Sequence, residues 1–346
     1  MKSKTMILST GKLNSSLNGY ALELSKVSGR ERVVILNSRD QLRYSGSFGV
    51  REVRGLFGPM IADGWAFNNI FGKYIYRKFA REIGDRPLHY TTFGLPLLRH
   101  NDNDIVTIHD LFFLDRDDEA YRKYMNISKL LFNRFRDFRN VITVSNYTKK
   151  KLIAYGFSEN IDVVYTPPSD EFQHLNEDRE TLRKTLGLPL DKKLVLSVSS
   201  KLKRKNLSVV QETMKRLGDQ YRLVRVGPAL GSSITYTDIS PEKLNMLYNA
   251  SDVLLFPTLN EGYGFPVIEA FAAGLPVVAS NIEVMREIAG DAAILVEPSV
   301  DKCASGIISA IADADVLIKQ GVRRSEKFSK RDFANRMNSI YQRVET

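Results

Sequence analysis

Two short apolar runs, Asp252-Val-Leu-Leu-Phe-Pro257 and Leu275-Pro-Val-Val-Ala279, frame the stretch that most constrains how this chain folds. Both are short, continuously apolar and interrupted or ended by proline, so each is expected as a buried strand of a parallel sheet. Between them lie T-L-N-E-G-Y-G-F-P, residues 258–266, and then an apolar segment closed by Gly274. Proline suits the first position of a helix and glycine its C-terminal cap, so a helix is expected over 267–273. The unit reads strand, glycine-rich loop, helix, strand. Ligands of an open parallel sheet sit at the carboxyl ends of its strands, where Glu261 to Phe265 fall.

The loop has the composition of a binding site. Gly262 and Gly264 let backbone approach a ligand closely, and the amides opening the helix after Pro266 form a positive terminus suited to phosphate. Glu261 and Glu269 stand eight positions apart, one on the loop and one in the first helical turn. Both are expected to face one crevice as acceptors for hydroxyls, which a sugar and a ribose present. The whole string, E-G-Y-G-F-P-V-I-E-A-F-A-A-G-L-P-V-V-A-S, resembles the signature of the retaining glycosyltransferases of family 4. That resemblance implies the GT-B fold: two Rossmann-like, doubly wound α/β domains facing across a cleft. It also implies that Glu261 contacts the transferred sugar and Glu269 the nucleotide ribose. Tyr263 and Phe265 replace the residues more usual in the family, a change that leaves backbone contacts to the donor intact.

Length and composition suit this reading. A chain of 346 residues, 43% hydrophobic and 26% charged, supports two domains each with its own core. The only cysteine, Cys303, excludes a disulfide framework or a thiolate metal cluster and fits a cytoplasmic setting. The apolar run near Met6 is too short for a signal peptide, and none reaches the roughly 20 residues of a membrane span. Net charge is +10, and residues 1–170 hold 26 basic and 18 acidic side chains, so the first half carries most of it. Such a surface suits an anionic acceptor or peripheral contact with the inner face of an anionic membrane; nucleic acid ranks last, because no nucleic-acid motif is present.

The expected domains are 1–175 for the acceptor, 190–325 for the nucleotide-sugar, and a basic amphipathic C-terminal helix, 326–346, which the resemblance implies packs back on the first. In the first domain, strands are expected at 6–9 and 32–36, with a helix from Tyr20 to Lys26. The glycine-rich turn before that helix resembles the family's donor-phosphate turn, with Gly19 and Tyr20 keeping the pattern. Gly64 to Gly84 places Phe67, Ile70, Phe71, Tyr74, Ile75 and Phe79 at helical spacing among basic residues, a helix that either packs on the sheet or lies at a lipid interface. The segment V-T-I-H-D-L ends a strand at His109 and Asp110. By resemblance His109 faces the sugar, and Asp110 either orients the imidazole or binds the acceptor. Ser145 reads as a helix cap, and Thr166 to Leu188 as the linker.

The second domain opens with a strand at 193–198, then S-S-K-L-K-R-K-N and a helix from Leu207. A cationic loop feeding a helix N-terminus suits a pyrophosphate, with Arg204 engaging two oxygens and Lys205 acting as a point charge. R-K-N-L matches the family's phosphate segment, although Ser200 stands where many members have arginine. Gly227, ending the strand from Tyr221, falls where the family's nucleotide base commonly lies. Asp102-Asn-Asp104 and Asp313-Ala-Asp315 have the letters of a metal motif, but one lies in a turn and the other is expected mid-helix, so no metal site is expected and no cofactor is called for. The expected reaction moves a hexose, mannose favoured, from a nucleotide-sugar (GDP-mannose before a UDP-sugar) to a glycan, lipid-linked or protein-linked acceptor. The alternatives are a silent glycan- or nucleotide-binding protein and a nucleotide-sugar isomerase on the same fold.

Overall fold

The computed structural model describes residues 5–10, 16–30, 32–36, 51–54, 85–91, 101–114 and 132–346. The helix expected over Gly64 to Gly84 lies outside them. The chain forms two compact units, Met1–Thr166 with Lys330–Thr346, and Pro167–Ser329.

The first unit contains β1 (Met6–Thr10), α1 (Ser16–Ser28), β2 (Arg32–Leu36), β3 (Arg51–Arg54), β4 (Leu88–Tyr90), β5 (Ile105–Ile108), β6 (Asn140–Thr143), α2 (Asn146–Ala154) and β7 (Ile161–Val163). Among the described residues its sheet is seven-stranded, in the order β3-β2-β1-β4-β5-β6-β7. Every pairing is parallel. β5 is buried along its whole length, which is why its sequence, I-V-T-I, shows no polar face. Asp104 fixes the turn before it: its carboxylate accepts from the Leu88 and Asn101 amides, each at 2.8 Å. Ser145 caps α2 by accepting from the Thr148 amide at 3.1 Å. One expectation fails here. α1 begins at Ser16, so Gly19 lies inside the first turn of the helix and not in the turn preceding it. Tyr20, Ala21 and Leu24 bury one face of α1, and that packing carries the helix through a glycine that costs only about 1 kcal/mol.

The second unit contains α3 (Arg179–Leu186), β8 (Lys193–Val198), α4 (Leu207–Leu217), β9 (Tyr221–Val226), β10 (Ile234–Tyr236), α5 (Pro241–Ala250), β11 (Val253–Phe256), α6 (Phe265–Ala272), β12 (Val277–Ser280), α7 (Glu283–Ala289), β13 (Ile294–Val296), α8 (Val300–Ala312) and α9 (Ala314–Ser325). Its six strands pair in parallel in the order β10-β9-β8-β11-β12-β13. The order reverses direction between β8 and β11, and in such a sheet the crevice outside their carboxyl ends holds the ligand. α6 begins one residue before Pro266, and Gly274 follows its end at φ +73°, a conformation glycine reaches without strain.

Two further expectations are corrected. The stretch expected as a linker holds α3, which belongs to the second unit. Arg183 of that helix reaches Asp252 at 2.6 Å and the Ala250 carbonyl at 2.9 Å, while Asp252 also accepts from the Leu194 amide. A buried ion pair with every oxygen engaged fastens the segment to the sheet, so polarity here reflects a clamp. Asp313 sits at the junction of α8 and α9, ending one and preceding the other, and not within a helix.

α10 (Lys330–Glu345) completes the first unit. Phe333, Met337, Ile340, Tyr341 and Val344 join Ile7, Tyr20, Leu24, Ile105 and Ile142 in one core. Arg30 pairs with both Glu345 oxygens, at 2.9 and 2.8 Å, and lies 4.0 Å over the Tyr341 ring.

Candidate active site

The loops that leave β8 and β11 carry the expected donor residues, and they are hydrogen-bonded to each other. After β8 the chain makes a single 3-10 turn, Lys203–Lys205, and then Asn206 adopts φ 54°, ψ 43° before α4 begins. Left-handed backbone at a residue other than glycine is strained, and asparagine tolerates it better than most. After β11, the Leu259 amide donates to the Arg204 carbonyl at 2.7 Å, and Arg204 Nη1 donates to the Asn260 carbonyl at 3.1 Å. Thr258 Oγ1 lies 3.0 Å from the Arg204 carbonyl and 3.1 Å from Glu261 Oε1.

This pairing brings Lys205, Arg204 and Glu261 together. Glu261 Oε1 accepts from Lys205 Nζ, and Glu261 Oε2 lies 3.1 Å from Arg204 Nη1. All three side chains are largely buried, so the attraction is poorly screened. Lys205 Nζ also lies 5.3 Å over the Phe256 ring, at the end of β11. Two cations thus flank one carboxylate at the point where the sheet order reverses.

Gly264 precedes α6 at φ +104°, and a Cβ there would lie 2.6 Å from Met285 Cε. Only glycine meets both demands, which explains the G-F-P sequence. Gly262 is buried, and the buried Tyr263 ring packs edge-on against Phe265 at 5.2 Å and Phe328 at 6.1 Å. The Tyr263 side chain therefore serves the fold of the loop, and Phe265 is half-buried beside it. On α6, Glu269 Oε2 accepts from Tyr248 Oη at 2.8 Å. Burial pushes the Glu269 carboxyl up to about 7, against the opposing pull of that hydrogen bond. Gly227 follows β9 at φ +127°; its amide donates to the Tyr236 carbonyl at 2.9 Å, and a Cβ would collide with the Ser199 carbonyl.

His109 and Asp110 lie in the first unit, directly after β5. The His109 ring is buried, stands edge-on to Tyr20 at 4.7 Å, and pairs through Nε2 with the Thr91 carbonyl at 3.2 Å. A carbonyl only accepts, so the ring proton is on Nε2 and Nδ1 is left as the acceptor. Burial lowers its pKa to about 4, so the imidazole is neutral at neutral pH. Asp110 is half-buried and accepts from the Phe112 amide at 3.2 Å, which defines its orientation.

Sequence reasoning passed over Thr258, Tyr248 and Asn206. Tyr248 sits on α5, and its meeting with Glu269 is a tertiary contact with no local signal. Asn206 carried a signal: an asparagine just before a helix, after a run of cations, suits a left-handed turn.

Residues 178–330 match the family described as glycosyl transferases group 1. The O-antigen chain mannosyltransferase RfbU of Salmonella typhimurium is 26% identical over 287 residues, covering 77% of this chain and 75% of its own. Sucrose-phosphate synthase from Thermosynechococcus elongatus superposes with a TM-score of 0.83 at 18% identity, over 98% of both chains. Anabaena HepE, solved in complex with UDP and glucose, superposes with a TM-score of 0.72 at 16% identity, over 99% of this chain and 98% of its own. Two parallel sheets of Rossmann-like order, the loops meeting where the second one reverses, and the family match over 178–330 lead to one conclusion: the chain has the GT-B fold, and its residues 178–330 form a glycosyl transferases group 1 domain.

Proposed function

We propose that the chain transfers mannose, with retention of configuration, from GDP-mannose to a glycan, lipid-linked or protein-linked acceptor, without a metal ion. The observation that carries this reading is the Lys205–Glu261–Arg204 cluster at the reversal of the second sheet, beside the N-terminus of α6. In the proposed reaction the acceptor oxygen attacks the anomeric carbon on the face the diphosphate leaves. The glycosidic C–O bond forms as the bond from that carbon to the diphosphate oxygen breaks, and the departing oxygen takes the acceptor's proton. Lys205, Arg204 and the α6 amides meet the negative charge on the leaving group, the part a divalent cation plays elsewhere. Glu261 accepts from sugar hydroxyls and Glu269 from the ribose. His109, neutral with Nδ1 as acceptor, takes a further sugar hydroxyl. Mannose is favoured by the likeness to RfbU, whose name states that sugar.

Turnover assays with each sugar-nucleotide in the presence of EDTA test the reading. Lys205→Ala and Glu261→Ala lose most turnover with donor saturating while remaining folded, and the product keeps the donor's anomeric configuration. Near-normal turnover in either variant sinks the role assigned to it, and inversion at the anomeric carbon sinks the same-face mechanism.

A further inference from the structure

Arg225 is the largest fully buried side chain among the described residues, with no solvent-exposed surface. A buried guanidinium is costly unless an anion pairs with it, and among the described residues no carboxylate lies within ion-pair distance of this one. Its partners are all oxygens at the carboxyl end of β8 and β9 and the start of the loop that follows β8. Nη1 donates to the Ser197 carbonyl at 2.9 Å and the Val226 carbonyl at 3.2 Å, with Ser197 Oγ at 3.4 Å. Nη2 donates to the Ser199 carbonyl, with Ser199 Oγ at 3.1 Å. Nε is buried with no partner. Burial lowers its pKa only to about 10, so Arg225 carries a full positive charge at neutral pH. Ser199 opens the loop whose other end bears Arg204 and Lys205, and its amide and carbonyl also meet the Val226–Gly227 backbone.

Five neutral oxygens engage the two terminal nitrogens of the guanidinium, leave Nε without a partner and leave the charge uncompensated. We infer that the counter-charge is the donor's diphosphate, and that Arg225 is a positioning residue that holds the Ser199–Asn206 loop and lends it a buried positive potential without touching the ligand. The inference rests on the donor site proposed above and extends it to a residue outside the loop. The charge acts over a distance through a medium that screens weakly, so its effect falls on phosphate-bearing ligands alone.

The test compares GDP with guanosine, and UDP with uridine, titrated against the full-length chain with EDTA present. Arg225→Gln removes the charge and keeps a neutral donor on a shorter side chain; Arg225→Lys keeps the charge and loses the fork. The expected result is a loss of about tenfold or more in GDP affinity for Arg225→Gln, a much smaller loss for Arg225→Lys, and unchanged guanosine affinity in both. Equal loss for GDP and guanosine, or equal loss in the two variants, overturns the inference in favour of a merely structural arginine. Should both variants fail to fold, the unsubstituted chain still decides: the Arg225 Nε–H resonance shifts on adding GDP and stays put with guanosine, and no GDP-specific shift overturns the inference. The same four titrations separate the two levels. If the unsubstituted chain binds neither GDP nor UDP, the donor reading falls and takes this one with it. If it binds one of them and Arg225→Gln binds it equally well, only the role of Arg225 falls.

Discussion

Glu261 is held by two cations and Thr258, so its removal leaves Lys205 and Arg204 buried against each other. Breaking a buried pair by deleting one partner typically costs about 3–5 kcal/mol, and an anion placed between the freed cations recovers part of it. Glu261→Gln is therefore expected to melt earlier than the parent and to gain more thermal stability from GDP than the parent gains; equal gains in a thermal-shift assay would contradict the arrangement. Glu269 gives a pH signature. Its carboxyl, raised to about 7 by burial, binds more protons in the folded chain than its ordinary value of 4.5 allows in the unfolded chain. Stability from this group is thus present at low pH and is lost as pH rises from about 4.5 to 7. Replacement with Gln flattens that slope, and melting curves across this range read it directly. Ribose hydroxyls prefer an ionised acceptor, so nucleotide affinity is expected to rise as pH passes 7, and to lose that rise in Glu269→Gln. Of these residues, Glu261 and Glu269 were legible because a loop glycine pattern and fixed spacing announced them, and Lys205 because a cationic loop feeds a helix N-terminus there. Tyr248, Thr258 and Arg225 were not, since each acts through a partner 21 or more positions away, or through 3 and 54 positions at once in the case of Thr258.

Two glycines separate what the local sequence said about elements from what packing decided. Gly227 was placed at the end of a strand, and the structure adds why glycine stands there: φ +127° and the Ser199 carbonyl against its Cα leave no room for a side chain. Gly19 was placed in a donor loop, and it lies on the exposed side of α1 with nothing within 4 Å of an added Cβ. Gly19→Ala is accordingly expected to leave the fold intact or to stabilise it by about 0.5–1 kcal/mol, while Gly227→Ala destabilises the second unit by about 1–3 kcal/mol or more. Chemical denaturation of both variants checks the pair; a strongly destabilised Gly19→Ala would mean that α1 starts later than Ser16. The strands ended by proline or glycine, such as β9 and β11, were legible to within a residue or two. β4, β10 and β13 were not, because three residues are too few to show a period. α3 was hidden by its polarity, since it buries only Leu182 and the charged Arg183.

At the scale of the molecule, the chain's last helix belongs to its first unit. Tyr341 Oη meets His89 Nδ1 at 2.7 Å, His89 Nε2 meets Thr107 Oγ1 at 2.7 Å, and Thr107 meets Tyr20 Oη at 3.1 Å, so α10 closes a buried polar chain as well as an apolar core. Removing 330–346 strands those groups and exposes apolar side chains worth about 1.5–3 kcal/mol each. The truncated chain is expected to lose the cooperative unfolding of the first unit, whereas Pro167–Ser329 expressed alone folds and keeps nucleotide affinity. Circular dichroism melts and titration of the two fragments test this; a Pro167–Ser329 fragment that is unfolded would contradict the division. Basic amphipathic character made α10 legible as a helix, and the resemblance alone suggested which unit it serves. Among the described residues no helix is long and apolar enough to cross a membrane. The central claim is a diphosphate site built from Lys205, Arg204 and the α6 N-terminus. Calorimetric titration of the purified chain with GDP, UDP and ADP and their sugar conjugates, with EDTA present, tests it most directly. The account predicts selective binding of one nucleoside diphosphate, GDP first, abolished in Lys205→Ala. Binding that appears only when a divalent cation is added, or no binding at all, would contradict it.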